Sequence, residues 1–272
     1  MDLKKLADQY KDELLDNVLP FWLEHSQDHE HGGYFTCLDR KGNVFDTDKF
    51  IWLQGREVWL FSMLYNKVEK RQEWLDCAIQ GGEFLKKYGH DGNYNWYFSL
   101  DRTGRPLVEP YNIFSYTFAV MAFGQLSLAT GNQEYADIAM KTFDIVLSKT
   151  NNPKGKWNKL YPGTRDLKNF ALPMILCNLA MEIEHLLDKG CLEKTMEVCI
   201  HEVMEVFYRP DGTARSKASP YHRMDPTHPH HPPDIQRQLT EPEKMQVWRM
   251  YRLTLLTRIL RSFPIVILLM RY

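Results

Sequence analysis

Residues 49–65 read KFIWLQGREVWLFSMLY, and apolar side chains occupy nearly every direction around the helix this stretch predicts. Such a helix has protein on both sides. Residues 111–129 and 169–182 have the same character. Helices of a different kind lie between them. Residues 71–88 place Leu75, Ala78, Ile79, Gly82 and Leu85 on one stripe, with Arg71, Glu73, Asp76, Glu83, Lys86 and Lys87 elsewhere. Residues 133–149 repeat the pattern with Tyr135, Ile138, Thr142 and Ile145, and residues 192–207 do so again. These are surface helices with one wet face. A first helix, over 3–25, is amphipathic in its first half. The order outer, inner, outer, inner, outer, inner, outer predicts an all-α chain of helical hairpins, its inner helices packed inside an outer ring.

An internal repeat supports this reading. Leu38-Asp39-Arg40-Lys41-Gly42 and Leu100-Asp101-Arg102-Thr103-Gly104 share the pattern LDRxG, follow aromatic residues, and each precedes an inner helix. Residues 34–38 and 95–100 read as short strands entering tight turns, so short β-hairpins fill the connections. The period of about 60 residues spans one helical hairpin and its strands. Seven helices precede residue 208, and a closed double ring needs more. Residues 1–212 are therefore expected to form an incomplete N-terminal half of such a barrel.

Residues 213–272 change character: Pro220, Pro226, Pro229, Pro232, Pro233, Pro242 and Pro264 fall there, glycine is absent, and basic residues outnumber acidic ones. Prolines around His228, His230 and His231 forbid helix, so this basic, Pro/His-rich tail reads as largely disordered. One basic helix over 246–261 fits the pattern. The apolar run 263–270 is too short to span a membrane.

With 272 residues and 44% hydrophobic content the chain carries ample core material, and its formal net charge of -1 gives no electrostatic case for nucleic acid or an anionic membrane. A small neutral ligand is the better expectation. Cys37, Cys77, Cys177, Cys191 and Cys199 form no CxxC pair and read as reduced thiols. The charged N-terminus lacks the apolar core of a signal peptide, and the expected location is cytoplasmic.

Arg56 is the residue that stands out chemically, a guanidinium midway along an inner helix. Trp52, four residues earlier, shares its face, as does Met63. An aromatic plate one turn from a fixed positive charge suits a sugar ring, which stacks its C–H face on indole while the arginine donates to an oxygen gaining negative charge. The alternative, left open here, is a structural Arg56 paired with an internal carboxylate such as Glu57 or Glu109. His25, His29 and His31 are read in a polar loop, His185 and His201 on helices, and no ligand set for a metal accompanies any of them.

The run KFIWLQGREVW (49–59) resembles the motif of N-acylglucosamine 2-epimerases, also called renin-binding proteins. The resemblance covers nearly all of 1–212, including HGGYFTCLDRKGNVFDTDKF (31–50), EPYNIFSYTFAVMAF (109–123), NNPKGKWNKLYPGTR (151–165) and ALPMIL (171–176). It implies an (α/α)6 barrel and an isomerase that interconverts N-acetylglucosamine and N-acetylmannosamine by deprotonation and reprotonation at C2. Arg56 is the implied catalytic residue, steadying an enediolate, and Trp52, Tyr111 and Met174 are the implied substrate contacts. No cofactor or metal is implied. ATP, as an allosteric effector at Lys154 and Lys156, and a homodimer both stay open. The family's proton-moving histidines lie in stretches like NPGH and FHVPR, which this sequence does not contain. An inactive chain is therefore the expectation. Another isomerase on the same fold, of mannose or cellobiose type, and a non-enzymatic binding protein are the alternatives.

Overall fold

Strand β1 (Cys37–Leu38) turns into β2 (Val44–Asp46), while β3 (Lys49–Phe50) pairs antiparallel with β4 (Ser99–Leu100), which in turn pairs with β5 (Pro106–Val108). The two LDRxG segments form the same turn. Asp39 Oδ1 accepts the N–H groups of Lys41 and Asn43 at 2.8 and 2.9 Å, and Asp101 Oδ1 those of Thr103 and Arg105, both at 2.9 Å. Gly42 and Gly104 close these turns at φ 83° and 95°, a region that suits glycine. The computed structural model describes residues 3–110, 112–157, 168–208 and 217–218. The sequence features placed at 219–272 lie outside these residues. The chain divides into two compact units, one holding residues up to 159 with 177–193, the other 160–176 with 194–270.

Each β segment feeds an inner helix. Phe50 is extended and α3 (Ile51–Lys67) starts directly after it. Four residues then connect α3 to α4 (Gln72–Tyr88). Helix α5 (Phe114–Thr130) ends on Gly131 at φ 69°, and the next residue, Asn132, caps α6 (Gln133–Ser148) by accepting the Glu134 N–H at 2.9 Å. A left-handed C-cap beside an N-cap turns the chain through a hairpin in two residues. Helices α7 (Ala171–Glu182) and α8 (Lys189–Glu202) follow.

Inner helices lie side by side and parallel. A Cβ on Gly55 would sit 2.9 Å from the Phe118 carbonyl oxygen, and eleven residues later Asn66 Nδ2 donates to the Gln125 carbonyl at 2.9 Å. Likewise Asn178 approaches Met121 Sδ and Gln125 Nε2 donates to the Glu182 carbonyl at 2.9 Å. Contacts that advance together along both helices require a common direction. The N-termini of α3 and α5 therefore open at the same end.

The first helix is not uniform: α1 (Leu3–Asp12) widens into a π-helical turn (Glu13–Val18) before α2 (Leu19–His25). Pro20 explains this, because it lacks the N–H that would bond the Asp16 carbonyl and its ring crowds that group. The buried stripe of α4 also differs from the expected one, with Trp74, Cys77, Ala78, Gly81, Gly82, Phe84 and Leu85 buried and Leu75 and Ile79 only half-buried. The fully buried Tyr34 selects that rotation: it packs against Gly81 and donates its hydroxyl to the Cys77 carbonyl at 2.7 Å.

Within the second unit, β6 (Lys168–Asn169) pairs with β7 (Lys217–Ala218), Lys168 forms an ion pair with Glu202 at 2.9 Å, and Phe170 meets Phe207 edge-on. All five cysteines are free thiols. No helix among the described residues is long and apolar enough to cross a membrane.

Candidate functional site

Helix α3 buries most of its circumference, but Trp52, Arg56, Trp59, Leu60 and Met63 are only half-buried and leave one partly open face. Trp52 and Arg56 are one turn apart, and the guanidinium carbon of Arg56 lies 5.4 Å from the Trp52 ring centroid. From α5, Phe118 brings a second ring to 4.8 Å. The two rings themselves are 6.1 Å apart and tilted by 50°. Gly55 makes this possible, since any side chain there would meet the Phe118 backbone and hold the helices further apart.

Arg56 makes no hydrogen bond or ion pair among the described residues. Glu57 points to the other side of α3, where it meets Ser26, and Glu109 pairs with Lys156. Neither of these two carboxylates pairs with Arg56. Burial pushes its pKa down, yet an arginine keeps its proton in any protein environment. A charge that is partly desolvated, flanked by two π-faces and without an anion among the described residues is arranged to receive an electron-rich oxygen from a ligand. On the same face, Trp59 Nε1 donates to Glu182 Oε2 at 3.1 Å, which fixes the second indole.

Tyr111 lies outside the described residues. Met174 is half-buried on α7, in the second unit. Lys154 and Lys156 are exposed around the short 3-10 turn at Gly155–Trp157, with Lys156 held by Glu109. His25 is not in a loop: it ends α2, meets the Phe21 ring edge-on at 4.9 Å, and packs on Gly42. His29 and His201 are exposed, and His185 lies past the end of α7, 3.3 Å from Ser127 Oγ. Among the described residues no group of three His, Cys, Asp or Glu side chains could hold a metal.

Phe118 was not foreseen. It falls within a helix that is apolar throughout, where sequence spacing gives no sign that one phenylalanine differs from the rest. Only the register of α5 against α3 singles it out.

Comparison with known proteins places these features in context. Residues 33–219 match the family described as N-acylglucosamine 2-epimerase (GlcNAc 2-epimerase). The chain is similar to the N-acylglucosamine 2-epimerase of Bos taurus, 41% identical over 174 residues, which are 62% of this chain and 41% of that protein. It is similar also to the enzyme of that name from Rattus norvegicus, 38% identical over 206 residues, 73% of this chain and 49% of the relative. The chain spans about half the length of the curated relatives it matches. Among solved structures, the cellobiose 2-epimerase of Bacillus thermoamylovorans superposes with a TM-score of 0.66 at 21% identity, covering 76% of this chain and 57% of that one. This likeness shows the fold, that of the (α/α)6 barrels built from helical hairpins.

Proposed function

The chain belongs to the N-acylglucosamine 2-epimerase family, and from that premise we propose that Arg56 serves a sugar 2-epimerase site acting on N-acetylglucosamine and N-acetylmannosamine. One observation carries the reading: a half-buried guanidinium between Trp52 and Phe118 that no carboxylate among the described residues neutralises. In the open-chain sugar, removal of the C2 proton beside the C1 aldehyde puts negative charge on O1. Arg56 donates hydrogen bonds to that oxygen as the charge develops, and Trp52 covers the apolar face of the substrate. Return of a proton to the opposite face of C2 completes the epimerisation.

Moving that proton needs positioned acid and base groups, which typically contribute about 10²–10⁴-fold. No described histidine lies with Arg56, and the stretches NPGH and FHVPR are absent from the 272 residues. The chain by itself is therefore proposed to bind the sugar without turning it over. Deuterium wash-in at C2 of N-acetylmannosamine in heavy water tests both parts. Exchange at the buffer rate is expected for the chain alone. When a second polypeptide supplies the remainder of a family member, exchange is expected to appear and to fall about 10²–10³-fold in Arg56→Met. Exchange by the complemented protein that Arg56→Met leaves unchanged would overturn the assignment.

A nucleotide effector at Lys154 and Lys156 is a separate proposal, and it requires a nucleotide phosphate to displace Glu109 from Lys156.

A further inference from the structure

On the far side of α3 from the open face, Ser26 Oγ lies 2.6 Å from the Trp22 carbonyl oxygen and 2.5 Å from Glu57 Oε1. A serine hydroxyl has one proton and can donate only once. Were Glu57 ionised, one of these short contacts would set two acceptor oxygens against each other with no hydrogen between them. The second carboxyl oxygen, Oε2, is buried without a hydrogen-bond partner among the described residues. That is tolerable for the carbonyl of a neutral acid and far more costly for an anion. The titratable groups that face Glu57 from the elements around it are Tyr34, from the segment before β1, and Cys77, from α4. Both are acids that ionise to anions. Arg56, the preceding residue, is turned away against its two aromatic rings.

We propose that Glu57 is held as a neutral carboxylic acid that donates its proton to Ser26, whose hydroxyl donates to the Trp22 carbonyl. This relay latches the end of α2 to the inner helix that carries Arg56, and it opens when the proton leaves. Burial pushes the Glu57 carboxyl in the same direction, up to about 8. Because the folded value lies above the ordinary one, the folded state keeps a proton that the unfolded chain releases between about pH 4.5 and 8. Stability falls as pH rises through that window and levels off above it, where both states are ionised.

The test has two arms. Infrared spectra of the wild-type chain should contain the carbonyl band of a protonated, buried acid at pH 6 and lose it by pH 9. Urea unfolding at the same two pH values compares the wild type with Glu57→Gln, whose amide supplies a permanent donor to Ser26. Relative to the variant, the folded-to-unfolded ratio of the wild type is expected to drop on the order of a hundredfold from pH 6 to pH 9. Absence of the acid band at pH 6, or parallel pH dependence of the two proteins, would overturn the proposal. Should Glu57→Gln fail to fold, the infrared arm decides on the wild type alone.

Discussion

Removing the charge of Asp28 should damage this protein more than removing the charge of Lys49, although the two form one ion pair. Both side chains are completely buried, with Lys49 Nζ 2.9 Å from Asp28 Oδ2. Their other partners are unequal. Asp28 also accepts Arg102 Nε and Nη2, both at 3.0 Å, and the N–H groups of Glu30 and His31, both at 3.2 Å. Besides Asp28, Lys49 meets the carbonyls of Gly32 and Arg102, at 2.5 and 2.9 Å, and the rings of Phe84 and Phe35, at 4.4 and 5.9 Å.

In Asp28→Asn the buried ammonium loses the carboxylate it is paired with, a change that costs about 3–5 kcal/mol. In Lys49→Met the carboxylate keeps the Arg102 fork and two backbone donors, while two carbonyls lose a donor and the thioether packs on Phe84. That variant should cost about 1–3 kcal/mol. The double variant should fall short of the sum, with a coupling of about 1–3 kcal/mol. Urea unfolding followed by tryptophan fluorescence measures all four corners of the cycle. Equal costs for the two single variants, or a coupling near zero, would refute the reasoning. Against the desolvation of burial, hydrogen bonds from Arg102 and then Lys49 hold the Asp28 carboxyl far below the usual carboxylate range. Its contribution is accordingly complete above about pH 4 and disappears only as strong acid protonates the folded state.

Two further outcomes are expected. Gly55→Val forces α3 and α5 apart, because its Cβ alone would lie 2.9 Å from the Phe118 carbonyl oxygen. It should cost about 1–3 kcal/mol, seen as a lower Tm, and an unchanged Tm would show that the helices slide freely. Phe118→Leu keeps an apolar residue but removes the ring 4.8 Å from Arg56. In the complemented C2-exchange assay it should slow exchange by the equivalent of about 0.5–2 kcal/mol while Tm changes little, and an unaltered rate would deny Phe118 a part in holding the guanidinium.

The alternation of helix types was legible in the sequence because it depends on one variable, how much of a helix is covered. Thus 71–88 was expected and Gln72–Tyr88 is found, and 133–149 corresponds to Gln133–Ser148. The LDRxG turns were legible for a local reason, since an aspartate accepting N–H groups two and four residues ahead needs nothing from the rest of the fold. Arg56 beside Trp52 followed from the i, i+4 spacing. What stayed hidden depends on register between distant elements. Asp28, Lys49 and Arg102 span 74 residues and read separately as ordinary surface charges. The tilt of the α4 stripe toward Trp74 and Cys77 follows from where Tyr34 inserts. Glu57 was considered only as a partner for Arg56, and its contact with Ser26 depends on where the end of α2 packs.

The five residues Gln54–Val58 show why one inner helix can hold so many roles. Successive residues on a helix point about 100° apart, so fewer than four of them sweep every direction. Gln54 faces the segment before β1, where its amide mimics a backbone unit by accepting the Tyr34 N–H and donating to the Tyr34 carbonyl, both at 2.8 Å. Gly55 faces α5 and sets how closely the two inner helices approach. Glu57 faces Ser26 at the end of α2, and Val58 is fully buried. Arg56 alone among the five is directed to the partly open face. On an outer helix such a turn would have solvent on one side and could shed charge there. Here the residues around Arg56 in sequence are held by different elements, so the backbone position from which the guanidinium reaches Trp52 and Phe118 is set before any ligand arrives. That is the condition under which a fixed positive charge lowers a barrier, because no reorganisation remains to be done when negative charge appears on the substrate oxygen.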